Sequence, residues 1–179
     1  MPVDYHAWTH RSKADGGTDP LPSPRWARAE KSPASTVQSI PNNSNTDIVW
    51  DTYYNTDPDG TFREDTLDSK DILVRSPGIY IVKLFIVWNV TNVGRFRMGI
   101  SHGINLNDWA PGDPDTSAFG GVLEFSYTTL FHFDGTEELS GLLYQSSGSA
   151  KALDYAFLHA VRIDGYEGTN AIDMTTQQP

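Results

Sequence analysis

The stretch "SPGIYIVKLFIVW", residues 76–88, decides the fold. A Pro-Gly pair marks a turn, and the β-branched and aromatic run after it predicts one long strand. Successive side chains of a strand point to opposite faces. The two faces would carry Tyr80, Val82, Leu84, Ile86 and Trp88 on one side, and Ile79, Ile81, Lys83, Phe85 and Val87 on the other. Because both are largely apolar, we expect this strand to be covered on both sides.

Similar short runs, separated by turn residues, follow one another from Trp26 onward. The clearest are "TVQSI" (36–40), "TDIVWDTYY" (46–54), "KDILV" (70–74), "RFRMGISHGI" (95–104), "VLEFSYTTLFHF" (122–133), "LSGLLYQSS" (139–147) and "DYAFLHAVRIDGY" (154–166). With the opening strand they make about eight strands without a helical pattern, which predicts an all-β sandwich or barrel. Loops are expected at 55–66 and 105–121.

The last of these runs also has two apolar faces. Tyr155, Phe157 and Val161 are large, and the alternate positions are small or apolar. In an antiparallel fold such a strand needs a cover on its outer side. We expect the cover to be another subunit. The alternative is that the loop 105–121 folds over the sheet.

The order of these runs resembles the jelly roll shared by tumour necrosis factor and the globular head of the first complement component, versions of which occur in bacteriophage structural proteins. The resemblance covers residues 30–165, and "SPGIYIVKLFIVW" is its most specific part. It implies an all-β jelly-roll β-sandwich that assembles as a homotrimer. The residues it places at the trimer interface are Ile79, Ile81, Lys83 and Phe85, with Tyr155, Phe157 and His159 as candidates whose register the sequence does not fix.

The N-terminal residues 1–28 predict an extended arm. They are punctuated by Gly and Pro and show neither strand nor helix periodicity. His10 followed by "GGTDPL" resembles a peptide of phage tail and fibre proteins, particularly those of actinobacterial phages. The predicted docking residues are Tyr5, Trp8, His10, Arg11, Gly16, Gly17, Asp19 and Leu21. The jelly-roll domain is then expected at 29–166 and a polar C-terminal tail at 167–179.

The composition excludes several classes of function. The chain has no cysteine, which excludes disulfides, thiolate zinc sites and a cysteine nucleophile. A formal net charge of -10 disfavours nucleic acid as a partner. The longest apolar run, residues 79–88, is about half as long as a membrane helix and contains Lys83, so we expect no membrane insertion.

No motif predicts a metal, a cofactor or a catalytic site. The segment "NTDPDGTFREDT" (55–66) begins like a calcium loop but has Thr66 where the bidentate glutamate belongs. His6 and His10 are four residues apart but lack a third ligand nearby. Ser140 lies in a strand with no base placed by the sequence. We therefore expect no enzyme, no cofactor and no metal, although calcium binding by the acidic loops stays open.

These observations favour a non-enzymatic structural protein of a phage particle, made in the host cytoplasm and fixed to the virion, preferably the tail, by its arm. Trp109 and Phe119, in the predicted loop 105–121, are candidate contacts to a host cell-surface glycan, unless both pack beneath the loop. One alternative is a capsid decoration or head-fibre protein without host contact. The other is a tail protein that binds or depolymerises polysaccharide at a site between subunits.

Overall fold

The computed structural model describes residues 10–12, 18–20, 25–33, 37–56, 60–64, 71–90, 94–103, 106–111 and 121–163. Within these ranges the regular structure consists of strands. The strands are β1 (His10–Ser12), β2 (Thr18–Pro20), β3 (Trp26–Lys31), β4 (Gln38–Ile40), β5 (Ser44–Asp47), β6 (Thr52–Asn55), β7 (Phe62–Glu64), β8 (Ile72–Val74), β9 (Gly78–Val90), β10 (Phe96–His102), β11 (Leu106–Trp109), β12 (Gly121–Phe133), β13 (Glu138–Gln145) and β14 (Lys151–Arg162). A helix able to cross a bilayer is not found in the part of the chain described.

Twelve of the strands form two antiparallel sheets of six. The first has the order β11-β10-β13-β8-β7. Strand β8 pairs with the beginning of β13, residues 138–139, and β5 pairs with its end, residues 142–145. The second has the order β12-β9-β14-β3-β6. Strand β3 pairs with residues 156–161 of β14, and β4 pairs with residues 151–153 of the same strand. The two sheets pack face to face around one core. The predicted all-β sandwich is confirmed.

Strand β9 lies in the second sheet between β12 and β14, and its predicted alternation is confirmed. Its inward side chains are each at most 1% exposed. They are Tyr80, Val82, Leu84, Ile86 and Trp88. Strand β14 supplies the small inward side chains Ala156, Leu158 and Ala160, all 0% exposed. Side chains of the first sheet pack in the same core. They are Phe96, Met98, Ile100, Leu139 and Leu143.

The predicted strand over residues 46–54 is wrong, because the chain changes sheets within it. Residues 44–47 pair with β13 in the first sheet, whereas residues 52–55 pair with β3 in the second. Ile48 and Trp50, between these strands, are buried where the chain crosses. A Cβ atom on Gly141 would lie 2.8 Å from Ile48 Cδ1 and 2.9 Å from Trp50 Cζ2. The glycine therefore leaves the space that the crossing segment fills.

Four other expectations need correction. The predicted loop 105–121 contains β11, which pairs with β10, and the predicted loop 55–66 contains β7, which pairs with β8. The N-terminal arm contains a two-stranded ribbon, in which His10 is opposite Pro20 and Ser12 is opposite Thr18. Strand β3 begins at Trp26, so the expected boundary between residues 28 and 29 falls inside a strand of the sandwich. The tail 167–179 lies outside the described residues.

Candidate functional site

The outer surface of the second sheet is the main candidate site, because its outward side chains include an aromatic cluster and several aliphatic residues that are exposed in the single chain. We call this surface the open face. It is formed by the outward side chains of β9, β14, β3 and β12, which the antiparallel register places in neighbouring rows. They are Ile79, Ile81, Lys83, Phe85 and Val87, then Tyr155, Phe157, His159 and Val161, then Trp26, Arg28 and Glu30, and finally Glu124, Ser126, Thr128, Leu130 and His132.

An aromatic cluster occupies one part of the open face. The rings of Phe85 and Phe157 are stacked with centroids 5.2 Å apart, and Tyr155 lies 6.3 Å from each. Aromatic pairs at these separations contribute beyond their buried area. Further along the same face, beyond the row of Lys83, Ile79 is 41% exposed, Ile81 37% and Leu130 62%. The face thus combines preformed aromatic packing with apolar side chains that remain in water.

The charged groups of the open face lie on the aromatic cluster. The Arg28 guanidinium stacks 4.4 Å from the Phe157 ring centroid, bonds Glu30 Oε2 at 2.8 Å and donates to the Tyr155 hydroxyl at 2.6 Å. The Lys83 ammonium is 5.8 Å from the same ring. Burial is the main cause that raises the pKa of the Tyr155 phenol, so this hydroxyl stays neutral well above neutral pH. Cation–π contacts and one ion pair therefore hold these polar side chains against the sheet.

His159 lies beside these cations. Its ring meets Trp26 edge to face at 5.5 Å. Burial is the largest cause that lowers the pKa of His159, and the positive charges of Arg28 and Lys83 lower it further. The imidazole is therefore neutral at neutral pH.

The structure brings the seven predicted interface residues together on this one surface. It also supplies the register that the sequence left open, since Phe157 is opposite Phe85 and His159 is opposite Lys83. Their role at an interface stays a prediction. Sequence reasoning missed Trp26, Arg28 and Glu30, which extend the face along β3. The signal was present in "WARAEK" (26–31), where these three alternate with the buried Ala27 and Ala29.

The other predicted contact residues are dispersed or outside the described residues. Trp109 is half-buried on the opposite side of the molecule. A Cβ atom on Gly99 would lie 3.1 Å from Trp109 Cε3, and the Arg97 guanidinium is 4.7 Å from a Trp109 ring centroid. Phe119 lies outside the described ranges. So do Tyr5, Trp8, Gly16, Gly17 and Leu21 of the arm, whereas His10, Arg11 and Asp19 belong to the β1–β2 ribbon.

An apolar cleft of about 420 Å³ opens where the edge strand β12 faces the first sheet. Trp88, Phe96, Met98 and Phe125 line it, and the hydrogen bond from the Tyr127 hydroxyl to Asp108 Oδ2, 2.6 Å long, joins the same two edges. Among the residues with described positions, no group of three or more His, Asp or Glu side chains is arranged to hold a metal ion.

Comparison with known proteins identifies similar folds but does not assign the chain to a family. No protein-family model matches the chain, and no curated protein matches its sequence. Three solved structures illustrate the similarity. "PRD1 vertex protein P5" has 16% identity and a TM-score of 0.56, over 78% of this chain and 97% of that one. Eiger TNF from S. frugiperda has 12% identity and a TM-score of 0.52, over 82% and 98%. Murine APRIL at pH 5.0 has 12% identity and a TM-score of 0.51, over 79% and 100%.

These similarities concern the fold of the two sheets. Each match spans nearly all of the compared chain, so the shared unit is the whole sandwich rather than one sheet. The predicted fold class is thereby confirmed: the sandwich of this chain is an all-β jelly roll of the tumour-necrosis-factor type.

Proposed function

We propose that this protein is a non-enzymatic structural protein of a phage particle, a homotrimeric jelly-roll head carried by an N-terminal arm. The open face is the observation that supports this proposal most. In a single chain it leaves Ile79, Ile81 and Leu130 substantially exposed on the same face as a preformed aromatic cluster. Monomeric soluble proteins rarely expose a contiguous apolar patch of this kind, whereas a subunit interface requires one.

A second and a third copy of the chain are the proposed cover of the open face. The face combines aromatic and aliphatic side chains with the charged groups of Lys83, Arg28 and Glu30, and such a mixture is suited to a surface that is desolvated on assembly. The trimer, rather than the dimer, follows from the resemblance to the tumour-necrosis-factor jelly roll. The loop 105–121 is the alternative cover, and its described part, β11, instead pairs in the first sheet.

The location on a phage particle is supported by two independent resemblances. The sandwich is similar to a phage vertex protein, and the peptide from His10 to Leu21 resembles docking peptides of phage tail and fibre proteins. The β1–β2 ribbon within this peptide forms a sheet of its own. A two-stranded ribbon is marginally stable alone in water, so a docking partner would stabilise it.

Sedimentation tests the assembly. At micromolar protomer concentration and pH 7.5 we expect one species with three times the mass of the 179-residue chain. A monomer under these conditions would contradict the proposed role of the open face, and a dimer would contradict the three-fold arrangement.

Deletion of residues 1–24 tests the docking role of the arm. The deletion ends before β3, so we expect the sandwich and its assembly to be unchanged. Incorporation into particles should fall at least about tenfold, because the arm would carry the contacts to the virion. The measurement is the amount of protein that copurifies with particles, with sedimentation of the truncated protein as the control for folding. Unchanged incorporation would assign docking to the head instead.

Tail attachment is preferred over capsid decoration because of the arm resemblance, and particle labelling separates the two. Antibody labelling confined to the tail would support the preferred location. Labelling of the capsid would support the decoration protein without host contact. Release of reducing ends from host polysaccharide would contradict the non-enzymatic role.

A further inference from the structure

His159 lies between two cations at the centre of the open face. The register places it opposite Lys83 of β9 on one side and opposite Arg28 of β3 on the other. Side chains at directly opposite positions of an antiparallel pair have Cβ atoms about 4.5–5.5 Å apart. The indole of Trp26 closes a third side, at 5.5 Å. The imidazole therefore has positive charge on both flanks and an aromatic edge against it.

The remaining polar groups around His159 offer it little compensation. Glu30 is the carboxylate of β3 on this face, and it is bonded to Arg28 at 2.8 Å. Tyr155 accepts a hydrogen bond from Arg28. Beyond Lys83, the opposite residue of β12 is Thr128, and beyond Arg28 the opposite residue of β6 is Tyr54. Glu124 and His132, the other titratable groups of the face, lie on β12 opposite Val87 and Ile79 respectively, away from the His159 row.

We propose that protonation of His159 weakens assembly through the open face, so that the trimer of the proposed function is a pH-sensitive contact. A protonated imidazole would be the third cation in one row across three strands. Like charges at directly opposite strand positions are destabilising. Assembly makes this worse, because subunits that cover the face remove the water that screens the three charges.

The sign of the effect follows from linkage. Burial, Arg28 and Lys83 hold the pKa of His159 below its ordinary value of 6.5 in the folded chain. Subunits that cover the face would remove water from the ring and lower this pKa further, so the dissociated chain binds the proton more tightly than the trimer does. Neutral His159 therefore favours assembly fully above the pKa of the ring in the dissociated chain, which is itself below 6.5, and this contribution is lost as the pH falls through that pKa. Three copies of His159 are covered in one trimer, so the loss is multiplied.

The test is sedimentation of the full chain between pH 7.5 and pH 5.5, a range that leaves most carboxylates ionised. We expect the apparent association constant of the trimer to fall by about a hundredfold across this range, because three protons bind as each trimer dissociates. The variant His159→Gln keeps a polar side chain without the titration, and its association constant should change by less than about threefold over the same range.

His132→Gln is the matched control. This histidine belongs to the same face but is exposed at the edge strand, opposite Ile79 rather than a cation. We expect the variant to retain the full pH dependence of the wild-type protein. Lys83→Met removes one flanking cation, so the pKa of His159 should move up toward its ordinary value and the pH dependence should shrink. Titration of the His159 ring by NMR measures that pKa directly.

The outcomes separate this inference from the proposed function on which it rests. A wild-type trimer at pH 7.5 that keeps its association constant at pH 5.5 overturns the pH switch and leaves the trimer standing. A monomer at pH 7.5 overturns both. Retention of the pH dependence in His159→Gln assigns it to another group and overturns the inference. If His159→Gln does not fold, the wild-type protein supplies the test, and a His159 pKa at or above 6.5 in the trimer overturns the inference.

Discussion

Replacement of Ile81 by arginine is expected to convert the trimer into folded monomers. Ile81 is 37% exposed in the single chain, so an arginine there remains in water and the sandwich should fold normally. In the register its neighbours across the sheet are Val161 and Leu130, both uncharged. An assembled trimer would therefore bury three guanidinium groups without a carboxylate of the same face beside them. Lys83, two residues further along β9, adds like charge.

The expected loss is large because an unpaired buried charge costs several kcal/mol. Three such charges per trimer should lower the association constant by at least about a thousandfold, since each 1.4 kcal/mol is a factor of ten. Sedimentation at micromolar concentration should show a monomer, and circular dichroism should show an unchanged all-β spectrum.

The matched control for Ile81→Arg is Val49→Arg. Val49 is also an exposed apolar residue, 48% exposed, but it lies on the segment between β5 and β6 where the chain crosses from sheet to sheet. We expect this variant to remain a trimer. Dissociation of both variants would mean that added positive charge, rather than its position on the open face, disrupts the assembly. A trimer that survives Ile81→Arg would place the interface elsewhere.

The part of this fold that the sequence predicts is the part with a local signal. The alternation along residues 79–88 has a period of two, and a strand separates two such sets of side chains whatever its neighbours are. The same rule assigned Tyr155 and Phe157 to one face of the last strand. Only the pairing with β9 places Phe157 beside Phe85 and His159 beside Lys83. Register depends on contacts between distant segments, which one run of sequence does not contain.

The crossing between the sheets explains why the prediction of one strand over residues 46–54 was wrong. Ile48 and Trp50 alternate with exposed residues, as in a strand, and the Ile48 N–H still donates to the Gly141 carbonyl of β13 at 2.8 Å, but the regular pairing with β13 ends at Asp47. The side-chain amide of Gln38 replaces a strand neighbour there, since its Nε2 donates to the Asp47 carbonyl at 2.6 Å and its Oε1 accepts from the Val49 N–H at 2.9 Å. A side chain that takes over backbone hydrogen bonds from nine residues away leaves no pattern in the segment itself.

The arm shows the opposite limit. Its Gly and Pro residues predicted an extended segment, but they concealed the β1–β2 ribbon, because a three-residue strand is too short to show periodicity. Trp109 was placed in a loop for a related reason. The four residues "LNDW" alternate weakly, and β11 forms because Gly99 of β10 leaves room for the indole. In both places the partner segment, not the local composition, decides the structure.

Replacement of Trp88 by alanine is expected to cause a large loss of core stability. Trp88 is 0% exposed, packs edge to face on Phe96 with centroids 4.9 Å apart, and borders the cleft between the sheets. Removal of a buried indole costs about 3–5 kcal/mol, through lost transfer free energy and the cavity that remains. Chemical denaturation should show this decrease in the free energy of unfolding. The Ile81→Arg background is the appropriate host, because a monomer removes the concentration dependence of unfolding.

Phenylalanine at the two buried tryptophans separates packing from hydrogen bonding. The Nε1 atom of Trp88 has no hydrogen-bond partner among the described residues, whereas Trp50 Nε1 donates to Asp71 Oδ1 at 3.0 Å. Asp71 is only 5% exposed, so its carboxylate loses a donor that water replaces poorly. Trp50→Phe should therefore cost about 1.5–3 kcal/mol more than Trp88→Phe, the range for a hydrogen bond to a charged group. Equal costs would mean that the two indoles contribute through packing alone, and that the Trp50–Asp71 bond adds nothing to the crossing between the sheets.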